Sequence, residues 1–246
     1  MPTKSFQSQL KDKRPQIRAV LDTLEKIVTD YFWTFHMDYM DQFHKMEVRR
    51  PFVLQTFGSY ELGTDDEKSD IDLVLCTYGS GEDVLMANDA ESFIDLKTFF
   101  GEFFDHLKSQ KAVRASKIED ATVPLIKIEI DGVSIDLLLC AKLPYAESLT
   151  NTEHTTCRAS LYSILGYQAC KTFKEVATNL SKSACGDLAP SAGLYVFGQV
   201  CRLVKKFCRQ RQIYGSNLCF LNGVTIQIMV LLAMVIIYEE DFNINR

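Results

Sequence analysis

Apolar residues at Ile17, Val20, Leu21, Leu24, Ile27 and Val28 recur at intervals of three and four, which predicts an amphipathic helix over 15–30 with Pro15 in its first turn. The aromatic-rich run 31–43 continues as a second helical piece, and its helical spacing reads as core packing rather than a base-stacking platform. Phe52, Val53 and Leu54 predict a short strand over 51–57, followed by a short helix over 60–63. A further strand runs from Ser69 through Leu75 to Thr77, and 78–83 is a loop by composition. Phe93, Ile94, Leu96, Phe99, Phe100, Phe103, Phe104 and Leu107 predict a strongly apolar helix over 90–108. Two alternating runs, 123–130 and 133–140, flank Asp131-Gly132, the strongest short signal for a hairpin.

The pattern weakens over 144–190, with helical character from Arg158 to Leu180. A helix then follows over 193–212, with Ser191 as its candidate cap. Leu194, Val196, Phe197, Val200, Cys201, Val204, Phe207 and Cys208 form its broad apolar face, and Arg202, Lys205, Lys206, Arg209 and Arg211 its other side. The basic side reads equally as a solvated face or as an electrostatic wall for a triphosphate. The apolar run 224–238 is shorter than the ~20 residues of a membrane span. Thr225 and Gln227 interrupt its start, so it reads as a buried helix, with a face that promotes self-association if its neighbours are missing.

Composition changes this picture little. The 246 residues are 47% hydrophobic and 24% charged, enough for one large domain or two modest ones. A net charge of -5 excludes a generally basic nucleic-acid-coating protein but leaves room for a local basic track. The eight cysteines include no Cys-x-x-Cys pair and several sit in apolar runs, which fits reduced thiols behaving as small hydrophobes. The polar, basic first fourteen residues contain no apolar signal segment, and no membrane association is expected.

The chemistry is concentrated between Thr56 and Leu75. Asp70 and Asp72 stand two residues apart at the head of an apolar strand, so their side chains share a face while Ile71 and Leu73 face the core. Two such carboxylates repel unless a cation lies between them, and Mg²⁺ prefers carboxylate and phosphate oxygens. Gly58 lets the backbone approach a phosphate closely, and Ser59 adds a hydroxyl and an amide. Asp136, within Val133-Ser134-Ile135-Asp136-Leu137, is the candidate third carboxylate; the alternative is an edge-strand aspartate facing water.

A Gly-Ser turn followed by Asp-hydrophobic-Asp and a third strand aspartate resembles the DNA polymerase beta-like nucleotidyltransferases. Phe57-Gly58-Ser59-Tyr60, Ser69-Asp70-Ile71-Asp72, Val123-Pro124-Leu125-Ile126-Lys127-Ile128 and Gly132-Val133-Ser134-Ile135-Asp136 resemble, in order, the nuclear eukaryotic poly(A) polymerases. Lys205, Arg211-Gln212-Ile213-Tyr214 and Phe220-Leu221-Asn222-Gly223-Val224 are similar to that family's basic helix and glycine turn. The resemblance implies an α+β fold: a nucleotidyltransferase palm (mixed sheet with flanking helices) over 15–150 and a partial helical central domain over 151–246. On this resemblance the 246 residues are expected to hold no counterpart of the family's RNA-binding domain. It implies two Mg²⁺ ions (or Mn²⁺) on Asp70, Asp72 and Asp136, and a triphosphate held by Phe57, Gly58, Ser59, Lys205 and Tyr214. Asn222, Gly223 and Val224 would lie against the base. The reaction implied is template-independent addition of AMP from ATP to an RNA 3′ end, in the nucleus, with RNA-processing proteins as candidate partners.

The chain departs from the family at several positions. Its Leu-Asn-Gly loop is Ile164-Leu165-Gly166, its following Arg is Gln168, and the first glycine of the later pair is Asn222. The Asn expected after Tyr214 is displaced to Asn217, behind Ser216. Three readings therefore stand: a fragment of an active polymerase, a divergent minimal enzyme that borrows RNA affinity from a partner, or a degenerate scaffold. Terminal uridylyltransferases and 2′-5′ nucleotidyltransferases are the alternative enzyme classes.

Overall fold

A computed structural model describes residues 14–37, 40, 52–66, 69–78, 94–143, 158–185, 192–215 and 221–244. Of the loop expected at 78–83, Tyr78 ends a strand and 79–83 lie outside the described residues, as do the first residues of the 90–108 helix, Ser191, Ser216 and Asn217. The chain divides into two compact units, one of Met1–Leu54 with Leu75–Ser148 and one of Gln55–Val74 with Leu149–Arg246. Strands β1 (Phe52–Phe57), β2 (Ile71–Tyr78), β3 (Val113–Ile118), β4 (Leu125–Ile130) and β5 (Val133–Leu143) form one sheet in the order β1-β2-β5-β4-β3.

In the first unit, α1 (Arg14–Phe35) buries Val20, Leu24, Val28, Tyr31 and Phe32, the stripe its sequence period predicts. The aromatic run is core only in part: the Phe32 ring stacks on Phe52 at 4.9 Å and Tyr31 meets Phe103 edge-on at 5.0 Å, whereas Trp33 and Phe35 are exposed. Phe103 belongs to α2, which starts at Leu96 with Asp95 Oδ1 accepting from the Thr98 amide at 2.7 Å. That bond holds the Asp95 carboxyl below its ordinary range. The middle of α2, Phe99–Phe103, is wound as a π-helix before α geometry resumes over Phe104–Ser109. All four phenylalanines of this stretch are buried.

β4 and β5 are antiparallel with Lys127 opposite Asp136. Asp131 and Gly132 take φ of +50° and +74°, the left-handed pair that a two-residue hairpin turn requires. Sequence periodicity does not reveal β3. Only Val113 of its six residues is buried, because it is an edge strand whose charged side chains face water. Lys117 near its end donates to the Phe100 carbonyl at 3.1 Å and pairs with Glu119 at 2.9 Å.

The second unit is built from the one-turn helix α3 (Gly58–Glu61) and three long helices: α4 (Arg158–Cys185), α5 (Ala192–Gln210) and α6 (Gly223–Ile244). Its core joins Leu62 to Cys170 and Ala177 of α4, Phe197, Cys201 and Cys208 of α5, and Ile226 and Val230 of α6. The cysteines are free and buried, filling space as small apolar groups.

Two expectations need correction here. The buried stripe of α5 is Gly193, Phe197, Gly198, Cys201, Lys205 and Cys208, so Lys205 lies in the core face. Val196, Val200 and Phe207, assigned to that face by hydropathy, are exposed. Helix α6 is not wholly buried either: it is apolar all round, yet Val224, Ile228, Met229, Leu232, Ile236 and Ile237 are exposed. Among the described residues no helix is long and apolar enough to cross a membrane.

Candidate active site

The site begins where β1 turns into α3. Phe57 ends the strand in extended geometry (φ -150°, ψ -165°), and Gly58 then adopts φ +68°, a conformation an L side chain rarely takes. Its missing side chain makes room for a carboxylate: a β-carbon there would lie 2.1 Å from Asp72 Oδ2. Asp70 precedes β2 and Asp72 lies within it, both partly exposed, while Ile71 and Leu73 between and after them are buried. The alternation expected at the head of this strand is present. Phe57 itself packs against the helical core, with its ring 3.3 Å from where a β-carbon of Gly166 would stand. Residues 164–166, the counterpart of a family loop, are helical here, with Ile164 buried and Leu165 43% exposed.

The chain after α3 folds back on itself. The Ser59 carbonyl accepts from the amides of Thr64 at 2.8 Å and Asp65 at 3.1 Å. Thr64 is fully buried and connects this turn to two helices. Its carbonyl accepts from Lys205 Nζ at 3.1 Å, and its hydroxyl accepts from Gln227 Nε2 at 2.8 Å. The next two residues pair with the same face of α5, Asp65 with Arg202 at 3.4 Å and Asp66 with Arg209. The 202, 205, 209 spacing places three cations on one helical face opposite three consecutive residues, 64–66.

Lys205 is 5% exposed, and burial lowers its pKa; Asp66 and Asp65 oppose that shift and Arg209 adds to it. Around it, Gly223 brings the start of α6 close: a β-carbon there would be 3.5 Å from Tyr214 Oη and 4.0 Å from Lys205 Cε. Tyr214 bridges to Leu221, and the Arg209 guanidinium lies 4.8 Å from its ring centroid. Burial raises the Tyr214 pKa, and Arg209 opposes that. Asn222 Oδ1 accepts from the amide and hydroxyl of Thr225 at 2.8 and 2.9 Å, capping α6. Val224 points into solvent, 57% exposed. A groove of about 430 Å³ in the same unit is lined by Gln55, Thr56, Tyr167, Lys171 and Lys174.

Asp136 belongs to the other unit. Its carboxylate, 19% exposed, accepts from Lys127 Nζ at 3.0 and 3.5 Å. β5 is the middle strand of the sheet, so the edge-strand reading of Asp136 does not hold. Among the described residues no group of three or more His, Cys, Asp or Glu is arranged to hold a metal ion. Gly58 and Asp72 are brought together, as are Lys205, Tyr214 and Gly223. Thr64 and Gln227, which link the first group to the second, escape sequence reading. The available signal was a lone carboxamide in an apolar helix.

Comparison with known proteins gives the arrangement a context. Residues 2–153 match the family model of the poly(A) polymerase nucleotidyltransferase domain. Nuclear poly(A) polymerase 3 of Arabidopsis thaliana is 28% identical over 234 residues, covering 93% of this chain and 41% of its own. Poly(A) polymerase PAPa of Candida albicans is 26% identical over 186 residues, covering 71% of this chain and 28% of its own. The chain therefore spans less than half the length of these relatives. In fold it is similar to the Cid1 poly(U) polymerase, solved with MgGTP and with Mg 3′-dATP bound. The TM-scores are 0.51 and 0.50 at 17% and 18% identity, each covering 89% of this chain and 49% of the other.

Proposed function

The chain belongs to the poly(A) polymerase nucleotidyltransferase-domain family, and from that premise we propose that it adds AMP from ATP to an RNA 3′ end without a template. The observation that carries this reading is the contact of Gly58 with Asp72. A side-chain-free turn, where backbone amides reach a phosphate, abuts a carboxylate of the Asp70/Asp72 pair. Both are hard oxygen donors, so the pair fits Mg²⁺ by its chemistry. By family position alone Asp136 would be the third ligand; its carboxylate is paired with the Lys127 ammonium. Bound Mg²⁺ supplies charge neutralisation at the phosphates and makes the attacking hydroxyl more acidic.

In the reaction the 3′-oxygen forms a bond to the α-phosphorus while the bond from that phosphorus to the bridging β-phosphate oxygen breaks, releasing pyrophosphate. The residues of this chain bind and orient. Gly58 and Ser59 receive the β- and γ-phosphates, Lys205 donates to phosphate oxygens, Tyr214 lies beside phosphate or base, and Asn222, Gly223 and Val224 line the base. With Leu165 and Asn222 at two nucleotide-contacting positions of the family, ATP is preferred but other nucleotides are used. A nuclear location follows the name of the Arabidopsis relative.

Primer extension tests this with labelled oligo(A), Mg²⁺ or Mn²⁺ and each nucleoside triphosphate separately. Extension strongest with ATP and lost in Asp70→Ala is expected. Extension strongest with UTP would replace adenylyl by uridylyl transfer, and no extension by the folded chain would leave either a fragment short of its RNA-binding half or a scaffold.

A further inference from the structure

We propose that Gln227, acting through Thr64, is a positioning residue of the nucleotide site that sets Lys205 and Ser59 in place for a triphosphate; this rests on the nucleotidyl-transfer reading above. Gln227 stands between Ile226 and Ile228 in the apolar helix α6 and is 6% exposed. A carboxamide at such a position loses its water and is offset only by its partner. Its partner is specific: Nε2 donates to Thr64 Oγ1 at 2.8 Å. A hydroxyl that accepts one hydrogen bond still has a proton to donate, and Thr64 Oγ1 directs it to the Ser59 carbonyl at 3.4 Å.

The relay therefore has a direction, from Gln227 through Thr64 to the carbonyl of the Gly-Ser turn. The Thr64 backbone completes it. Its amide holds the same Ser59 oxygen at 2.8 Å, and its carbonyl holds Lys205 Nζ at 3.1 Å. An ammonium has three donors and this bond uses one, aiming the group while leaving it able to meet phosphate. A buried residue of α6 thus fixes the phosphate-binding turn and the phosphate-binding lysine relative to each other within one unit. Its effect on nucleotide affinity should pass through Lys205.

The test is a mutant cycle on the full chain, reading the Kd for ATP with Mg²⁺ by calorimetry alongside the thermal midpoint. Gln227→Met matches the side chain in length but lacks the donor. In the parent it should raise the Kd about tenfold, ~1.4 kcal/mol. In a Lys205→Ala background it should raise it by less than about twofold, because contacts that act as a unit do not add. Thr64→Val should repeat the loss, and Thr64→Ser, which keeps the hydroxyl, should restore the affinity. This second pair decides the matter if Gln227→Met folds poorly. An unchanged Kd, or equal loss in both backgrounds, overturns the positioning role and leaves the functional reading intact. A folded parent that binds no ATP overturns both.

Discussion

Gly58 and Asp72 meet with no side-chain space between them: a β-carbon on residue 58 would lie 2.1 Å from Asp72 Oδ2 and 2.9 Å from its Cγ. Gly58→Ala therefore meets two obstacles. The left-handed conformation, φ +68°, costs an L residue about 1–2 kcal/mol. The new methyl group also drives the carboxylate aside. Rotation of Asp72 relieves the clash cheaply in energy, but it takes the carboxylate away from the turn. The expected outcome is a folded variant whose melting temperature drops by several degrees, with nucleotide addition down about 100-fold or more. Steady-state primer extension and a thermal melt check it. Parental activity in this variant would mean that the position of Asp72 beside the turn is not used.

A second glycine contact tests the packing that supports the turn. A β-carbon on Gly198 would stand 2.6 Å from the Gly63 carbonyl oxygen and 3.4 Å from that of Leu62. Alanine is favoured over glycine inside a helix by about 1 kcal/mol. Here the obstacle is backbone, which cannot swing away, and overpacking costs about 1–3 kcal/mol. The clash should win. Gly198→Ala is expected to lower the denaturation midpoint in urea with an unchanged m-value. A more stable variant would show that α5 can slide away from residues 62–63 at little cost.

These two contacts mark what the sequence discloses and what it leaves hidden. The Gly58 turn, the Asp70/Asp72 alternation and the Asp131-Gly132 hairpin were legible because each depends on neighbours in the chain. Strand β3 was not, since Arg114, Lys117 and their neighbours carry no alternation at a solvent-facing sheet edge. Lys205 was singled out by the sequence but misplaced on its helix. Hydropathy assigns a lysine to the wet face, whereas here the Thr64 carbonyl and the charges of Asp65 and Asp66 draw it into the buried stripe. Thr64 and Gln227 lie 163 positions apart, and no local pattern joins them. The apolar period of α6 gives no face at all, so only tertiary contacts select Ile226, Gln227 and Val230 for burial.

The thiols report on the same helical core. Burial pushes Cys170 up to about 11 and Cys201 up to about 12, although the nearby charges of Lys174 and Lys205 respectively oppose the shift. At pH 8 a thiol of pKa about 11 is thiolate in roughly one part per thousand, against about a tenth for one near 9. Alkylation of Cys170 by iodoacetamide in the native chain should therefore be about 100-fold slower than in urea. Mass spectrometry of the labelled peptide gives the rate. Equal rates in the two conditions would show that the contact of α4 with the Gly58 turn opens readily.

Lys205 gives the site a pH dependence whose two consequences run in opposite directions. Burial lowers its pKa from the ordinary 10.5, so between the lowered value and the ordinary one the unfolded chain holds a proton that the folded chain has released. The contribution of this group to stability therefore rises as pH rises through that window. With Lys205 in its proposed phosphate-binding role, nucleotide affinity moves the other way, since a neutral amine no longer attracts a triphosphate. The ATP Kd should rise on the alkaline side, below the pH at which an ordinary lysine titrates, while the melting temperature shows no matching loss from this group. Lys205→Arg separates the two effects, because a guanidinium stays charged up to about pH 12. That variant should bind ATP less well at neutral pH, its fork being larger than the buried slot, but with an affinity flat across the alkaline range. Calorimetric titration of ATP from about pH 7 to 10 in both chains is the measurement. An alkaline limb that survives in Lys205→Arg would assign the titration to a group other than Lys205.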